Sequence, residues 1–425
     1  MNRRRRTLLK AIGGSTALAA LAGCVTTEDD PDDADDPDDA ADPDDADDPD
    51  DPEAGQATLW VDMLDAEEED LEGYIADFEA ETGHVIAKEA PGGELDEQLE
   101  TAIPADDGPD SWVWAHDWVG RFAVREEPPF LYDASENVDV GPYTGAAQEA
   151  VQFDDGVYGL PFASETVALF YNEDMVSEPP ETLEEMVEIM NDFHDPAAGE
   201  YGLSYPATDP YFASGFLQAY GGNLYEEAAR EVGVDSDECK RGLEALETLF
   251  DYIPADPDYE SQIVVFADEL APFAINGPWE LGNLSEEIDN LGVAELPTVD
   301  GNHPRTFSGV QMFYFSSMLA DADQASIDAI TEFAEWYTTN EEIISENSDR
   351  HGYIPVLQDL VDGNDLPEHV QAFAQQVDHG VPMPTHPDMD SVWIPVEEAL
   401  SRVFNDDQEP DAALDQAASE IRDQI

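Results

Sequence analysis

Acidic side chains outnumber basic ones in this 425-residue chain by 101 to 15, which limits both its surface and its partners. With a formal net charge of −86, a folded surface repels itself strongly at ordinary ionic strength. In molar salt the screening length falls to about 3 Å, so this repulsion nearly disappears. The composition therefore predicts a halophilic protein. A nucleic-acid partner is not expected, because phosphate binding needs basic patches and none follows the N-terminus.

The first 23 residues have the parts of an export signal. Arg5-Arg6-Thr7-Leu8-Leu9-Lys10 has the form of a twin-arginine motif. The apolar stretch at 11–22 is too short for a good membrane span but suits a signal peptide. It ends in Leu21-Ala22-Gly23-Cys24, which resembles a lipobox, where the chain is cut before the cysteine and lipid is attached to it. We therefore expect an exported protein, anchored to the outer face of the cell membrane by lipid on Cys24.

A linker follows the lipidation site, and we assign it to residues 24–55. Residues 28–53 are almost entirely Asp, Ala and Pro, with 17 acidic residues and no aromatic residue. Such a segment cannot bury enough apolar surface to fold. Charge repulsion and proline extend it, so at about 3 Å per residue it can span ~80 Å. It is therefore interpreted as a disordered spacer between the lipid and a folded body.

The rest of the chain alternates between two apolar patterns. Helical spacing occurs at 71–78, 183–193, 239–252, 325–338 and 370–377. Short strand-like runs occur at 57–61, 84–87, 157–160, 167–171 and 312–315. This alternation predicts an α/β architecture with mainly parallel sheets. The length and the 42% hydrophobic content are sufficient for two lobes, and ligands of such folds bind beyond strand ends and between domains.

Ten short sequence blocks follow one another along residues 56–425. They are Gly108-Pro109-Asp110, Trp114-Ala115-His116-Asp117, Tyr158-Gly159-Leu160-Pro161, Glu165, Leu169-Phe170-Tyr171-Asn172, Asp209-Pro210-Tyr211-Phe212, Gly221-Gly222, Ile275-Asn276-Gly277-Pro278-Trp279, Pro382-Met383-Pro384 and Trp393. No single block is decisive, but together and in this order they resemble the extracellular solute-binding proteins of the maltose-binding type.

The resemblance implies a periplasmic-binding-protein-like fold, with two α/β lobes and hinge crossovers between them. Lobe 1 would comprise residues 56–163 with 310–358, and lobe 2 residues 164–306 with 360–425. It also implies the function of a monomeric substrate-binding component of an ABC importer, which captures a sugar and delivers it to membrane permease subunits. The resemblance implies a binding protein and not an enzyme, with no cofactor.

Sugars offer two kinds of surface, and the family's ligand positions supply residues for both. Their C–H faces stack on aromatic rings, whereas their hydroxyls donate to carboxylates. By resemblance, the aromatic positions are Trp114, Tyr211, Trp279 and Trp393. The acidic positions are Asp117, Glu165 and Asp209, with Asp65 as a looser match.

Other conspicuous residues are assigned to packing. Trp60, Trp112 and Trp336 are expected in the core, because tryptophan packs more often than it binds. His116 is expected to be a packing or hydrogen-bonding histidine. If Cys24 carries lipid, Cys239 has no disulfide partner and is expected to be a small buried residue.

Four positions depart from the family pattern. Trp118 and Glu397 stand where the family has arginine, Ala66 where it has lysine, and Leu281 where it has a second aromatic ring. Trp118 is included among the ligand-binding residues, either as an added stacking surface or as a salt-adapted replacement of a base. Maltose or maltodextrin is the favoured ligand, and another mono- or disaccharide such as trehalose is the alternative.

Two other classes of protein fit the sequence less well. A secreted glycoside hydrolase would use paired carboxylates, but paired acids carry little information in so acidic a chain. Zinc-protease, serine-hydrolase and phosphate-loop motifs are missing, and no metal site is predicted. A structural or adhesive surface protein has no internal repeat in its favour.

Overall fold

The computed structural model describes residues 54–363 and 366–425. The predicted signal peptide, Cys24 and nearly all of the predicted linker lie outside the described residues. Within the described part, no helix is long and apolar enough to span a membrane.

Strands and helices alternate along most of the described chain. The strands are β1 (Gln56–Trp60), β2 (Val85–Glu89), β3 (Ser111–Ala115), β4 (Gln152–Phe153), β5 (Gly156–Val157), β6 (Gly159–Glu165), β7 (Ala168–Asn172), β8 (Tyr225–Glu226), β9 (Glu231–Val232), β10 (Phe273–Asn276), β11 (Leu291–Ala294), β12 (Phe307–Phe315), β13 (Ile354–Pro355) and β14 (Val381–Pro382). The helices are α1 (Asp65–Thr82), α2 (Leu95–Ala102), α3 (Trp118–Ala123), α4 (Gly145–Ala150), α5 (Leu183–Phe193), α6 (Pro210–Leu217), α7 (Asp237–Phe250), α8 (Tyr259–Ala267), α9 (Leu281–Glu287), α10 (Gln324–Thr339), α11 (Glu341–His351), α12 (Gln358–Gly363), α13 (Glu368–His379), α14 (Asp390–Phe404) and α15 (Pro410–Arg422).

The predicted α/β class is confirmed, but the expectation of mainly parallel sheets is wrong. A seven-stranded sheet has the order β13-β6-β12-β3-β1-β2, with β14 paired to β12. In it, β1 pairs in parallel with β2 and β3, whereas β12 runs antiparallel to both β3 and β6. The second sheet, β10-β7-β11, is wholly antiparallel. Strands that return from distant parts of the chain cause this difference, and local patterning does not report their direction.

Side chains of the large sheet alternate between two apolar layers, as the pleat of a strand requires. On β12, Phe313 and Phe315 join one cluster, which includes residues of α1 and α10. The alternate residues Met312 and Tyr314 face the other side of the sheet and join another cluster, which includes residues of α2 and α3. The sheet therefore lies between two layers of helices.

Two main cores divide the body along discontinuous stretches of chain. One core draws its side chains from 57–163 and 310–357. The other draws all but one of its buried side chains, Ala115, from 167–307 and 383–421. The two-lobed fold expected from the sequence is therefore present, and the chain passes between the two cores near the ends of β6 and β12.

The few basic side chains of the body are all engaged. Ten Lys and Arg residues lie in the described ranges, and nine of them form ion pairs: Lys88, Arg121, Arg125, Arg230, Lys240, Arg241, Arg350, Arg402 and Arg422. Arg305 instead donates to the carbonyl oxygen of Gly222 at 3.1 Å. Every Lys and Arg side chain of the described chain therefore has at least one ion-pair or hydrogen-bond partner.

Candidate functional site

Glu165 ends β6, where the chain leaves the large sheet. Its side chain is buried, and its Oε1 accepts a hydrogen bond of 3.0 Å from Nε2 of Gln311 on β12. Its Oε2 is also buried but has no hydrogen-bond partner. Burial, with smaller contributions from Glu67 and Asp117, raises the pKa of Glu165 to about 8 against the lowering effect of Gln311. Glu165 therefore has one acceptor oxygen that no other group of the described chain satisfies.

Asp117 and Tyr211 share this environment. Asp117 follows β3, and its Oδ1 is buried without a partner. Burial raises the pKa of Asp117 to about 7, although Arg121 opposes the shift. The hydroxyl of Tyr211, in the first turn of α6, is likewise buried and unpartnered. Burial raises the pKa of Tyr211 well above its ordinary value, and Glu165, Asp117 and Asp209 raise it further, so these distant segments meet around one site.

Asp209 has a structural role beside any ligand role. Its Oδ1 caps α6 by accepting hydrogen bonds from the backbone N–H groups of Tyr211 at 2.8 Å and Phe212 at 3.4 Å. The side chain is exposed, yet desolvation by the surrounding protein raises its pKa to about 6, and Glu397 adds to the shift. Only one oxygen caps the helix, so the second takes no part in the cap.

Glu67 is an acid of this site that the sequence did not single out. It is 7% exposed, and its Oε1 is buried without a partner. Burial raises the pKa of Glu67 to about 7, although a hydrogen bond with Tyr353 lowers it. Its only sequence signal is its place just after Ala66, in the region where the spacing of the family match is ambiguous. Asp65, the predicted residue of this region, begins α1, and its side chain lies outside the described residues.

Two of the tryptophans form a stacked pair beside Asp117. The rings of Trp114 and Trp118 have centroids 4.6 Å apart and an interplanar angle of 16°. Trp114 is partly buried and packs against the cores of both lobes, whereas Trp118 is only 9% exposed. The guanidinium of Arg121 lies 5.8 Å from the Trp118 ring. Trp114 is therefore the more exposed ring of the pair, and Trp118 lies beneath it.

Trp279 is held in place by a hydrogen-bonded chain. Its Nε1 donates to the hydroxyl of Tyr259 at 2.8 Å, and that hydroxyl donates to Oε1 of Glu280 at 2.5 Å. The ring of Tyr211 lies 6.3 Å from the Trp279 ring, at 42°. Trp279 and Tyr211 therefore form a second aromatic surface, next to the acids that surround Tyr211.

Trp393 lies on α14 and is linked to the other positions less directly. Its partly buried ring makes an edge contact with Phe307 at 5.7 Å. A concavity of about 450 Å³ also lies on α14, lined by Ile394, Glu397, Glu398, Ser401, Arg402, Asn405 and Asp407. No aromatic ring lines that concavity, so we do not assign the solute site to it.

The packing residues behave as the sequence suggested. His116 is buried, accepts a hydrogen bond from the backbone N–H of Val310 at Nδ1, and donates from Nε2 to the carbonyl of Met383. Burial lowers the pKa of His116 to about 4, so the ring is neutral. Trp112 is fully buried and Trp60 nearly so, while Trp336 is partly buried. Cys239 is a buried free thiol.

The arrangement suits capture of a neutral solute. Four oxygens of this site are buried without partners, those of Glu67, Asp117, Glu165 and Tyr211, and each is suited to accept a hydrogen bond. Aromatic rings stand beside them, and the crossovers between lobes lie at Glu165 and β12. The fold and these residues define a two-lobed binding protein.

The family follows directly. Residues 73–374 match the model for bacterial extracellular solute-binding proteins, and the chain belongs to this family. Its members bind solutes and are not enzymes, as the sequence resemblance implied.

Three similar proteins are named for the oligosaccharides that they bind. The maltotriose-binding protein of Pyrococcus abyssi (strain GE5 / Orsay) is 33% identical over 367 residues, covering 84% of this chain and 79% of the relative. The galactooligosaccharide-binding protein of Bacillus subtilis (strain 168) is 27% identical over 374 residues, covering 84% and 86%. The maltooligosaccharide ABC transporter solute-binding lipoprotein of Streptococcus pneumoniae (strain ATCC BAA-255 / R6) is 23% identical over 288 residues, covering 63% and 66%.

A solved structure shares the architecture of most of the chain. The Thermus thermophilus maltotriose binding protein bound with maltotriose has a TM-score of 0.78 and 26% sequence identity to this chain. The match covers 87% of this chain and all of that one.

Proposed function

We propose that this protein captures a maltooligosaccharide outside the cell, as the substrate-binding component of an ABC importer. The observation that carries the proposal is the group of four unpartnered buried oxygens of Glu67, Asp117, Glu165 and Tyr211, flanked by aromatic rings. Sugar hydroxyls donate hydrogen bonds and carry no charge, so they satisfy such acceptors without needing a cation.

The relatives support this choice of solute. The relative from Pyrococcus abyssi and the Thermus thermophilus structure are both maltotriose-binding proteins, and the pneumococcal relative is a maltooligosaccharide-binding component of an ABC transporter. An amino acid or a phosphate is disfavoured, because every described Lys and Arg side chain already has a partner.

The residues have distinct roles in this proposal. Trp114 stacks on one face of a sugar unit with Trp118 behind it, and Trp279 stacks on another with Tyr211 at its edge. Trp393 extends the aromatic surface, and Asp65 adds an acceptor at the start of α1. The remaining carboxylates receive hydroxyl hydrogens, namely Glu67, Asp117, Glu165 and Asp209.

A second sugar class is the alternative, and four departures from the family pattern favour it. Trp118, Ala66, Leu281 and Glu397 remove basic groups and one ring that the maltose-binding type has. The galactooligosaccharide-binding relative shows that related proteins accept a different oligosaccharide. Trehalose or another small saccharide remains in this alternative.

Closure between the lobes completes the proposed cycle. We assign lobe 1 to 56–163 with 310–358 and lobe 2 to 164–306 with 360–425, which agrees with the division of the two cores. A sugar that bridges Asp117 on lobe 1 and Tyr211 on lobe 2 favours the closed state, which the permease then recognises. X-ray scattering in molar salt should show compaction with sugar; an unchanged radius of gyration with bound sugar would exclude the hinge.

The lipid anchor and export route belong to the same proposal. The twin-arginine motif and the lipobox-like Leu21-Ala22-Gly23-Cys24 support export and lipidation, and the pneumococcal relative is a lipoprotein. Cys24→Ser should move the protein from the membrane fraction to the medium, and Arg5→Lys with Arg6→Lys should leave it unexported. Cys239→Ser is the matched control and should stay with the membrane.

The sugar assignment is tested by isothermal calorimetry of the full chain in molar potassium chloride. Maltotriose should bind with a stoichiometry of one, and Glu165→Gln should weaken binding while the protein stays folded. No heat with any maltooligosaccharide, together with binding of another sugar, would select the alternative.

A further inference from the structure

Two histidines and a glutamate meet outside the residues assigned to the sugar. The rings of His303 and His379 stack with centroids 3.7 Å apart and an interplanar angle of 17°. Oε1 of Glu295 lies 3.2 Å from Nε2 of His379 and 4.0 Å from Nδ1 of His303. One donor atom from each residue therefore falls within 4.8 Å of the other two.

These residues come from three segments that one buried side chain ties together. Glu295 follows β11, His303 lies in the turn before β12, and His379 ends α13. Gln376, one turn before His379 on α13, is 1% exposed and bridges the other two segments. Its Oε1 accepts from the backbone N–H of Leu296 at 2.9 Å, and its Nε2 donates to the carbonyl of Pro304 at 2.9 Å. The backbone beside each of the three side chains is thus fixed.

The glutamate oxygen at the centre of the group is unpartnered. Oε1 of Glu295 is buried and accepts no hydrogen bond, although two imidazole nitrogens lie within 4.0 Å of it. The ring positions therefore do not supply the hydrogen bond that a buried carboxylate normally has. A cation between the three donors would satisfy this oxygen together with one nitrogen of each ring.

We propose that Glu295, His303 and His379 form a binding site for a divalent transition-metal ion, with Zn²⁺ as the best fit. Two imidazole nitrogens and a carboxylate oxygen are donors that Zn²⁺ prefers, whereas Mg²⁺ and Ca²⁺ take all-oxygen sets. Donors around one tetrahedral zinc lie about 3.3 Å apart, since each is ~2 Å from the ion. The Glu295–His379 distance already matches this spacing, whereas the exposed His303 ring must turn out of the stack to bring in the third donor.

This metal site is separate from the proposed sugar site. It lies just before two strands that pair with each other, β12 and β14. His303 precedes β12 by a few residues and His379 precedes β14, and these two strands pair in parallel at Phe307 and Ser308. Bound metal therefore joins segments that lead into the crossover strand β12, and it stabilises the folded chain because it binds that state selectively.

The test titrates ZnCl₂ into the chelator-treated full chain in molar potassium chloride, by calorimetry and thermal unfolding. We expect one tight Zn²⁺ per chain, a higher Tm with zinc, and at least about tenfold weaker binding in His303→Gln and in His379→Gln. His369→Gln, at the other end of α13, is the matched control and should bind zinc as the wild type does. Excess MgCl₂ or CaCl₂ should not displace the ion.

Two results would overturn the site. One is zinc binding unchanged in the double variant His303→Gln with His379→Gln, which would assign the ion to the acidic surface. The other is no stoichiometric binding to the wild type, which would leave the three residues as an ion pair beside a stacked ring. Maltotriose titration of the same variants should be unaffected, so failure of the zinc site is distinguishable from failure of the sugar proposal.

Discussion

Trp118 stacks directly under Trp114, with ring centroids 4.6 Å apart, and is itself almost completely buried. Phe122 meets the edge of Trp118 at 5.8 Å, so the lower ring is held from a second side. The upper ring is thereby fixed before any solute arrives. An aromatic surface that is already ordered lowers the entropic cost of binding a sugar.

Removing the lower ring should weaken binding without removing the contact ring. In Trp118→Leu, the Trp114 ring loses its stacked partner, so we expect maltotriose affinity to fall by about 0.5–1.5 kcal/mol, the value of an aromatic pair. Calorimetry measures this change, and circular dichroism checks the fold. A folded Trp118→Leu variant with wild-type affinity would show that the pair does not matter for binding.

Trp279 should contribute directly to the solute contact. Its replacement by alanine removes a ring held by Tyr259, and we expect the loss of about 1–3 kcal/mol in sugar affinity, the scale of burying a large side chain. Trp336→Ala is the matched control, because Trp336 packs against Phe78 and Phe333 in the other core. Equal affinities of Trp279→Ala and Trp336→Ala would remove Trp279 from the site.

Glu165 should make the sugar-free protein less stable as the pH rises. Burial raises its pKa to about 8 in the folded state, so between about pH 5 and 8 the folded chain holds a proton that the unfolded chain has lost. The contribution of Glu165 to the free energy of unfolding is therefore largest below about pH 4.5, and it is lost as the pH rises through 8.

The variant Glu165→Gln carries no such proton. Its free energy of unfolding should gain roughly 2–4 kcal/mol relative to the wild type between pH 5 and pH 9. Urea unfolding in molar salt measures the difference at each pH. If the difference in free energy of unfolding between the two proteins is constant over this range, Glu165 is already ionised in the folded protein.

Sugar binding should release protons near neutral pH. Hydroxyls that donate to Glu165, Glu67 and Asp117 favour the ionised carboxylates, whose pKa values of about 8, 7 and 7 therefore fall on binding. Maltotriose affinity should rise from pH 6 to pH 8, by up to about tenfold per pH unit for each proton released. Calorimetry in buffers of different ionisation enthalpy measures the protons directly, and proton uptake would contradict the roles given to these acids.

Local patterns in the sequence predicted much of the fold. Helix α5 was predicted at its observed bounds from its helical spacing; in the structure Leu183, Met186 and Met190 form its buried face, and Thr182 caps its first turn. Strand direction was not predictable in the same way. Pairing of β12 with β3 joins residues about two hundred positions apart, and nothing near either strand records it.

The site was predictable only where residues were matched to the family blocks. Asp117, Glu165, Asp209 and Tyr211 belong to these blocks, and the structure brings them around one site. Glu67 was missed because it is one of 101 acids, and only tertiary burial distinguishes it. The three residues of the proposed zinc site span 295–379 without a ligand motif, so folding alone reveals them.

Binding of a maltooligosaccharide on the tryptophans of the site is the claim on which the proposed function depends. The most direct measurement is intrinsic tryptophan fluorescence of the protein in molar potassium chloride, titrated with maltose, maltotriose, trehalose, glucose and several amino acids. We predict saturable quenching or a spectral shift with maltotriose, reduced in Trp279→Ala, and no response to amino acids. A folded protein that responds to none of the sugars, or only to an amino acid, would contradict the claim.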